Sequence, residues 1–199
     1  MKFFLSIFSA ALLMGHAVEK SPSTSFSRWV VESSSSLNIQ GSSNVNTFTC
    51  VVAEYLKPDT LAYSLDEKSN KLSFNNSSLS IDINRFDCHQ KYITADLRKT
   101  LKADENPVLK IRFLNIDNVD GRNSNSKING NIDIVLAGVV KRVNVDFMVG
   151  RPGKDRITLT GDKELLFSDF ALTPPRKLAG LIRINEKITV HFHLELKVI

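Results

Sequence analysis

The sequence predicts an all-β fold: an antiparallel sheet of about eight strands, closed as a barrel, with one short helical insert. Three observations carry this. Apolar residues recur with period two through most of the chain, the pattern of strands with one buried and one wet face. The composition, 42% hydrophobic and 24% charged with only 9 Gly and 6 Pro, is that of a folded globule and excludes disordered or collagenous chains. A length of 199 residues suits one domain with a core of useful size.

The N-terminus is set apart first. Lys2 supplies a positive start, Phe3 to Met14 is apolar except for Ser6 and Ser9, and Gly15-His16-Ala17 places small residues at the −3 and −1 positions of a signal-peptidase site. The stretch is too short for a membrane span, which needs ~20 residues. Residues 1–17 therefore read as a signal peptide, and the mature chain as periplasmic or secreted. No Cys follows the cleavage site, which argues against a lipoprotein. Residues 18–28, polar and Ser-rich, read as a flexible lead-in. The barrel domain is expected over 29–199.

Each strand follows from its alternation. Leu37 and Ile39 alternate with Ser36, Asn38 and Gln40; Phe48, Cys50 and Val52 follow, with Thr47 and Thr49 opposite. Leu79, Ile81 and Ile83 alternate with Ser80, Asp82 and Asn84. The rule then breaks: Tyr92, Leu97 and Leu101, amid Lys91, Asp96, Arg98, Lys99 and Lys102, suit a short helix ending before Pro107. Leu109, Ile111 and Phe113 resume the alternation, and Asn118 to Lys127, with Asp120-Gly121, reads as a hairpin loop. Ile128, Ile132, Ile134 and Leu136 share a phase, as do Val143, Val145, Phe147 and Val149, with a tight turn at Gly138 between them. Ile157 and Leu159 open a further strand. The clearest comes last: Ile188, Val190, Phe192, Leu194, Leu196 and Val198 point one way, and Lys187, Thr189, His191, His193, Glu195 and Lys197 the other.

Such a sheet covers its apolar face by curling into a barrel or splitting into a sandwich, and long strands favour the barrel. An eight-stranded barrel is just wide enough for side chains or for one small ligand. The aliphatic and Phe lining suits an apolar guest and a filled core equally well.

Two cysteines, Cys50 and Cys88, allow one intramolecular pairing, and an exported chain meets the oxidising conditions that permit it. The enclosed loop corresponds to ~3–4 kcal/mol in the chain-entropy model. With neither CxxC nor a second Cys/His pair, redox catalysis and structural zinc lack support. His191 and His193 project from one face with Glu195, but in the polar phase of the last strand, where solvated surface is the simpler reading. Asp87-Cys88-His89 would suggest a thiol nucleophile only if Cys88 were unpaired. No GxSxG, HExxH or P-loop pattern occurs, so catalysis is not expected, and no metal or cofactor is implied. The formal charge of +5 is mild, and Arg98-Lys99, Lys141-Arg142 and Arg176-Lys177 are scattered pairs. They do not form the basic face of a nucleic-acid binder. Solvated surface is their default reading; weak attraction to anionic lipid headgroups is secondary, so at most peripheral membrane contact is expected.

Four segments together resemble the YceI-like family of bacterial envelope proteins. Ser36-Leu37-Asn38-Ile39-Gln40-Gly41-Ser42-Ser43-Asn44-Val45-Asn46-Thr47-Phe48 resembles its first hairpin. Leu101-Lys102-Ala103-Asp104-Glu105-Asn106-Pro107, running into Leu109, Ile111 and Phe113, is similar to its helix, proline and following strand. Gly130 through Leu136-Ala137-Gly138-Val139-Val140-Lys141-Arg142-Val143 is like its glycine, hairpin and basic turn. Asp169-Phe170-Ala171-Leu172 with Pro174-Pro175 precedes the final strand, with Ala171 where the family usually has Gly. The resemblance spans about residues 29–198.

It implies a lipocalin-like barrel that binds an apolar isoprenoid-type lipid, a polyprenyl chain or isoprenoid quinone; the chain itself reads as a monomer or homodimer. Burying ~400 Å² of such a chain at ~25 cal/mol/Å² gives ~10 kcal/mol, against association costs of ~4–15 kcal/mol. Useful binding without a polar anchor thus needs a preformed cavity and at least that area. The strand phases nominate Phe48, Ile111, Phe113, Ile134, Leu136, Val145, Phe147, Val190 and Phe192 as ligand-facing, and the fourth segment adds Phe170. The alternative is an envelope module with a filled β-fold that contacts another protein.

Overall fold

A computed structural model describes residues 26–52, 55, 58–117 and 126–199. The expected signal peptide, residues 18–25 of the lead-in and most of the 118–127 loop lie outside the described residues. The strands are β1 (Phe26–Val31), β2 (Ser36–Ser43), β3 (Thr47–Val52), β4 (Thr60–Asp66), β5 (Lys71–Phe74), β6 (Ser78–Asp82), β7 (Val108–Asp117), β8 (Ser126–Leu136), β9 (Val139–Gly150), β10 (Arg156–Leu166), β11 (Arg176–Lys177) and β12 (Ile182–Val198). One α-helix, α1 (Lys91–Thr100), sits between β6 and β7.

Eight strands form a ring in the order β1-β4-β5-β7-β8-β9-β10-β12, closed where Trp29–Val31 of β1 pairs with Leu196–Val198 of β12. β12 is the spine. One edge pairs with β10 from Leu166↔Lys187 to Arg156↔Lys197; the other pairs with β1 near its C-terminus and with β2 near its N-terminus. The hairpin β2–β3 thereby extends the wall toward the end covered by α1.

That end closes differently. Among the described residues, the outer edge of β3 carries no ladder beyond one bridge, in which Val51 and Asp87 exchange N–H···O bonds of 2.8 and 3.0 Å. The Cys50–Cys88 disulfide lies beside it. The sulfurs thus staple a gap in the barrel wall, and the pairing expected from the sequence has a structural purpose.

The helix buries Leu97 and, just past its end, Leu101, with Ile93 half-buried on the same face. These positions are four apart and so share one stripe. Lys102 (φ +55°) then leaves the helix in the left-handed region. Tyr92 departs from the sequence reading. It is 88% exposed, because it lies off that stripe. The barrel also begins earlier than expected: Phe26, Ser27 and Arg28, read as lead-in, pair with Ser64, Tyr63 and Ala62 of β4.

Bulges set the inward phase. Phe113 opposes Ile132 but Asn115 opposes Asn131, so Leu114 is an extra residue, and the buried positions pass from Phe113 to Ile116. Three inward phenyl rings lie over strand glycines: Phe48 over Gly41, Phe147 over Gly130 and Phe192 over Gly161. At Gly161 a Cβ would also stand 2.6 Å from the Asp146 backbone oxygen, which cannot swing aside. Gly161→Ala is expected to lower stability by ~1–3 kcal/mol through overpacking, read as a drop in urea midpoint. An unchanged midpoint would mean the β9–β10 seam is soft.

Candidate functional site

Among the described residues the barrel interior is almost entirely apolar, and two cavities bear on it, one within the strands and one at the helix end. The first, about 40 Å³, is lined by Leu37, Val52, Tyr55, Leu79, Ile81, Ile111, Phe113, Ile132, Phe147, Phe192, Leu194 and the serines 35 and 36. The second, about 280 Å³, lies at the helix end, between the β2–β3 turn, α1 and the start of β12. Its apolar lining is Val45, Phe48, Ile93, Leu97, Phe167, Pro175, Ile182 and Ile184; Ser43, Asn46 and Thr47 of the β2–β3 turn and Asp96, Thr100 and Lys177 supply its polar part. Along β2, β3 and β12, the buried Ile39, Cys50 and Ile188 fall between residues lining one cavity and residues lining the other. They form the partition.

Of the ten nominated residues, Ile111, Phe113, Phe147 and Phe192 line the small cavity and Phe48 the large one. Ile134, Leu136, Val145 and Phe170 are buried but line neither, and Val190 is half-buried against the core. The nominated set missed Leu37, Val52, Tyr55, Leu79, Ile81, Ile132 and Leu194 at the small cavity, and Val45, Ile93, Leu97, Phe167, Pro175, Ile182 and Ile184 at the large one. Ile182 and Ile184 continue the even-numbered phase of the last strand backward past Glu186, a signal that was present and interrupted.

Few polar atoms reach the small cavity, and two of them, the Tyr55 hydroxyl and Ser35 Oγ, are engaged in hydrogen bonds. The Tyr55 hydroxyl donates to Asp59 and accepts from the Ser80 N–H at 2.9 Å. Burial, then the Asp59 carboxylate, pushes its pKa far above the usual phenol range. It is a fixed neutral group, unsuited to acid–base work. Ser35 Oγ accepts from the Glu195 N–H at 2.9 Å. At the large cavity Lys177 and Asp96 pair at 2.6 Å, leaving one compact ion pair beside an apolar chamber.

The titratable groups otherwise serve the wall. Arg142 Nε and Nη2 donate to Asp133 at 2.8 and 3.1 Å across the β8–β9 register, holding that carboxyl below its usual range. Lys141 holds Asp169 down in the same way, helped by the Leu166 N–H. Ser34, then His193, lowers Glu195. A carboxylate with a depressed folded-state pKa stabilises the fold above its unfolded pKa, and that contribution disappears as pH falls through the folded value. Stability should therefore decline from about pH 4 downward, and Asp133→Asn should flatten the decline. Urea unfolding from neutral to acid pH checks this; parallel curves for both proteins would refute it.

His191 Nδ1 lies 2.6 Å from Asp162 Oδ1, and His193 Nε2 3.3 Å from Glu195 Oε1. Among the described residues no group of three His, Cys, Asp or Glu side chains is placed to hold a metal ion. None of the described helices is long and apolar enough to cross a membrane.

Ring, lining and partition together define a closed antiparallel β-barrel whose chemistry is that of apolar contact. The sequence matches no protein-family model and no curated protein. Solved structures do match. A polyisoprenoid binding domain from Saccharophagus degradans, implicated in plant cell wall breakdown, superposes with a TM-score of 0.62 at 17% identity, over 85% of this chain and 97% of that one. BcnA from Burkholderia cenocepacia gives 0.57 at 17% identity, over 81% and 95%. The YceI protein of Campylobacter jejuni gives 0.52 at 18%, over 68% and 78%. The chain shares their fold, as the four sequence segments implied.

Proposed function

We propose that this protein binds an apolar isoprenoid-type lipid, a polyprenyl chain or isoprenoid quinone, inside its barrel and carries it in the bacterial envelope without catalysis. The observation that carries the reading is the chamber of about 280 Å³ at the helix end, with an apolar wall and one ion pair beside it. It stands just below the ~300–1,000 Å³ usual for ligand pockets. The S. degradans structure of the same fold is a polyisoprenoid binding domain. A prenyl tail would enter beside Phe48, with its polar head toward Lys177 and Asp96. A chain longer than the chamber would have to displace the partition of Ile39, Cys50 and Ile188 to reach Phe113 and Phe147. The signal-like residues 1–17 and the disulfide favour export to an oxidising compartment.

A second reading has its own observation. The middle of the barrel holds only about 40 Å³, as a filled β-fold serving as a protein-interaction module would. Native mass spectrometry of protein purified from the envelope fraction, followed by organic extraction, separates the two. A stoichiometric adduct that extracts as a prenyl lipid is expected. An unliganded mass that persists after incubation with quinones and polyprenols would favour the filled module.

A further inference from the structure

We infer that the rim of the large cavity is a docking surface for an anionic lipid bilayer, formed by the loop between β11 and β12 together with the β2–β3 turn. Lys177 and Ile182, on either side of the loop, line the cavity, so its tip stands at the mouth. There Leu178 is 68% exposed and Leu181 74%; Val45, which itself lines the cavity, is 65% exposed. Isolated apolar residues are ordinary on a surface, but three large ones at a single opening are a patch.

The backbone holds them there. Leu178, Ala179 and Gly180 all have positive φ (+49°, +54° and +91°), a left-handed run that only glycine adopts without strain. Hydrogen bonds fix it: Leu181 N–H to the Leu178 oxygen at 3.1 Å, Arg183 Nε to the Gly180 oxygen at 3.0 Å. Asn44 clamps the neighbouring turn to the same loop, donating Nδ2 to the Leu181 oxygen at 2.9 Å and accepting the Arg183 N–H at 2.8 Å. A strained, tightly braced loop that turns two leucines outward serves nothing in the barrel core.

Charge chooses the partner. Lys99, Lys102, Arg176 and Lys177 border one shallow groove beside the loop, in which Asp96 is the one acid and is already paired with Lys177. Tyr92, exposed one helical turn before Asp96, adds an amphipathic ring of the kind found at membrane–water interfaces. Apolar tips ringed by cations match a bilayer with anionic headgroups, the tips entering the acyl boundary and the cations meeting the phosphates.

Co-sedimentation with phosphatidylcholine vesicles, with and without phosphatidylglycerol, tests the inference, and needs no added prenyl lipid, so it stands or falls apart from the cargo reading. The wild-type chain should partition onto phosphatidylglycerol-containing vesicles, and less so at high salt. Leu178→Asp with Leu181→Asp should weaken partition by at least ~10-fold. If that variant loses stability, Lys99→Gln with Arg176→Gln carries the test, and should lower partition onto the anionic vesicles only. Absence of wild-type binding, or equal binding by the variants, overturns the inference. So does a dimer in sedimentation velocity that the leucine variant abolishes, which would assign the patch to a second copy of the chain.

Discussion

Phe147→Ala should lose ~3–5 kcal/mol of unfolding free energy, the range for truncating a buried phenylalanine. Phe147 is 1% exposed, lies across the Gly130 backbone and packs on Phe192 with ring centroids 5.2 Å apart. The site cannot collapse readily, because a rigid strand lies on one side and an existing cavity on the other. At a urea m-value of ~2 kcal/mol/M the midpoint would fall by about 2 M. Phe48→Ala is the informative contrast. That ring is only half-buried at the mouth of the large cavity, so its removal should cost much less while widening the chamber. Similar losses at the two positions would contradict the division into a structural mid-barrel and an adaptable end.

Removing the disulfide should cost ~3–4 kcal/mol from loop closure in the chain-entropy model, for a sequence separation of 38. Its place predicts more than its entropy. The outer edge of β3 is held to the segment before α1 by this bond and by the Val51–Asp87 bridge alone, among the described residues. Cys50→Ala with Cys88→Ala, or reduction, should therefore raise amide exchange at Val51 and Asp87. The β8–β9 ladder, paired without a break from Ser126↔Val149 to Leu136↔Val139, should stay protected. A uniform rise across both regions would mean that the bond stabilises the whole chain and not the gap.

The long strands were readable because period-two alternation survives wherever one face is wet: Val143 to Val149 on β9 and Ile188 to Val198 on β12 are the clearest cases. β1, β4 and β5 were not readable. β4 buries only Leu61 fully and β5 has only four residues, so alternation has too few members to register in either. The start of β1 also lies in the Ser-rich lead-in, where composition argued for loop. The cavity was harder still. Phe48, Phe113 and Phe147 share an inward phase, yet phase says nothing of depth along the barrel, and depth decides which side chains touch space and which touch each other. Ile93 and Leu97 join the lining only because α1 folds over the helix end, a tertiary arrangement that strand periodicity does not encode. The disulfide was legible for the opposite reason. Two cysteines leave one pairing.

The most direct measurement is a binding titration of a solubilised short-chain quinone or polyprenol onto wild-type protein and onto Ile184→Trp. The substitution directs an indole into the chamber of about 280 Å³ from the start of β12, where Ile184 pairs with Ser43 of β2 and precedes the ladder with β10. Saturable one-to-one binding by the wild type, weakened at least ~10-fold in Ile184→Trp with an unchanged unfolding midpoint, is the result predicted for a lipid held at the helix end. Equal affinity in the two proteins, or no binding by the wild type, would contradict it.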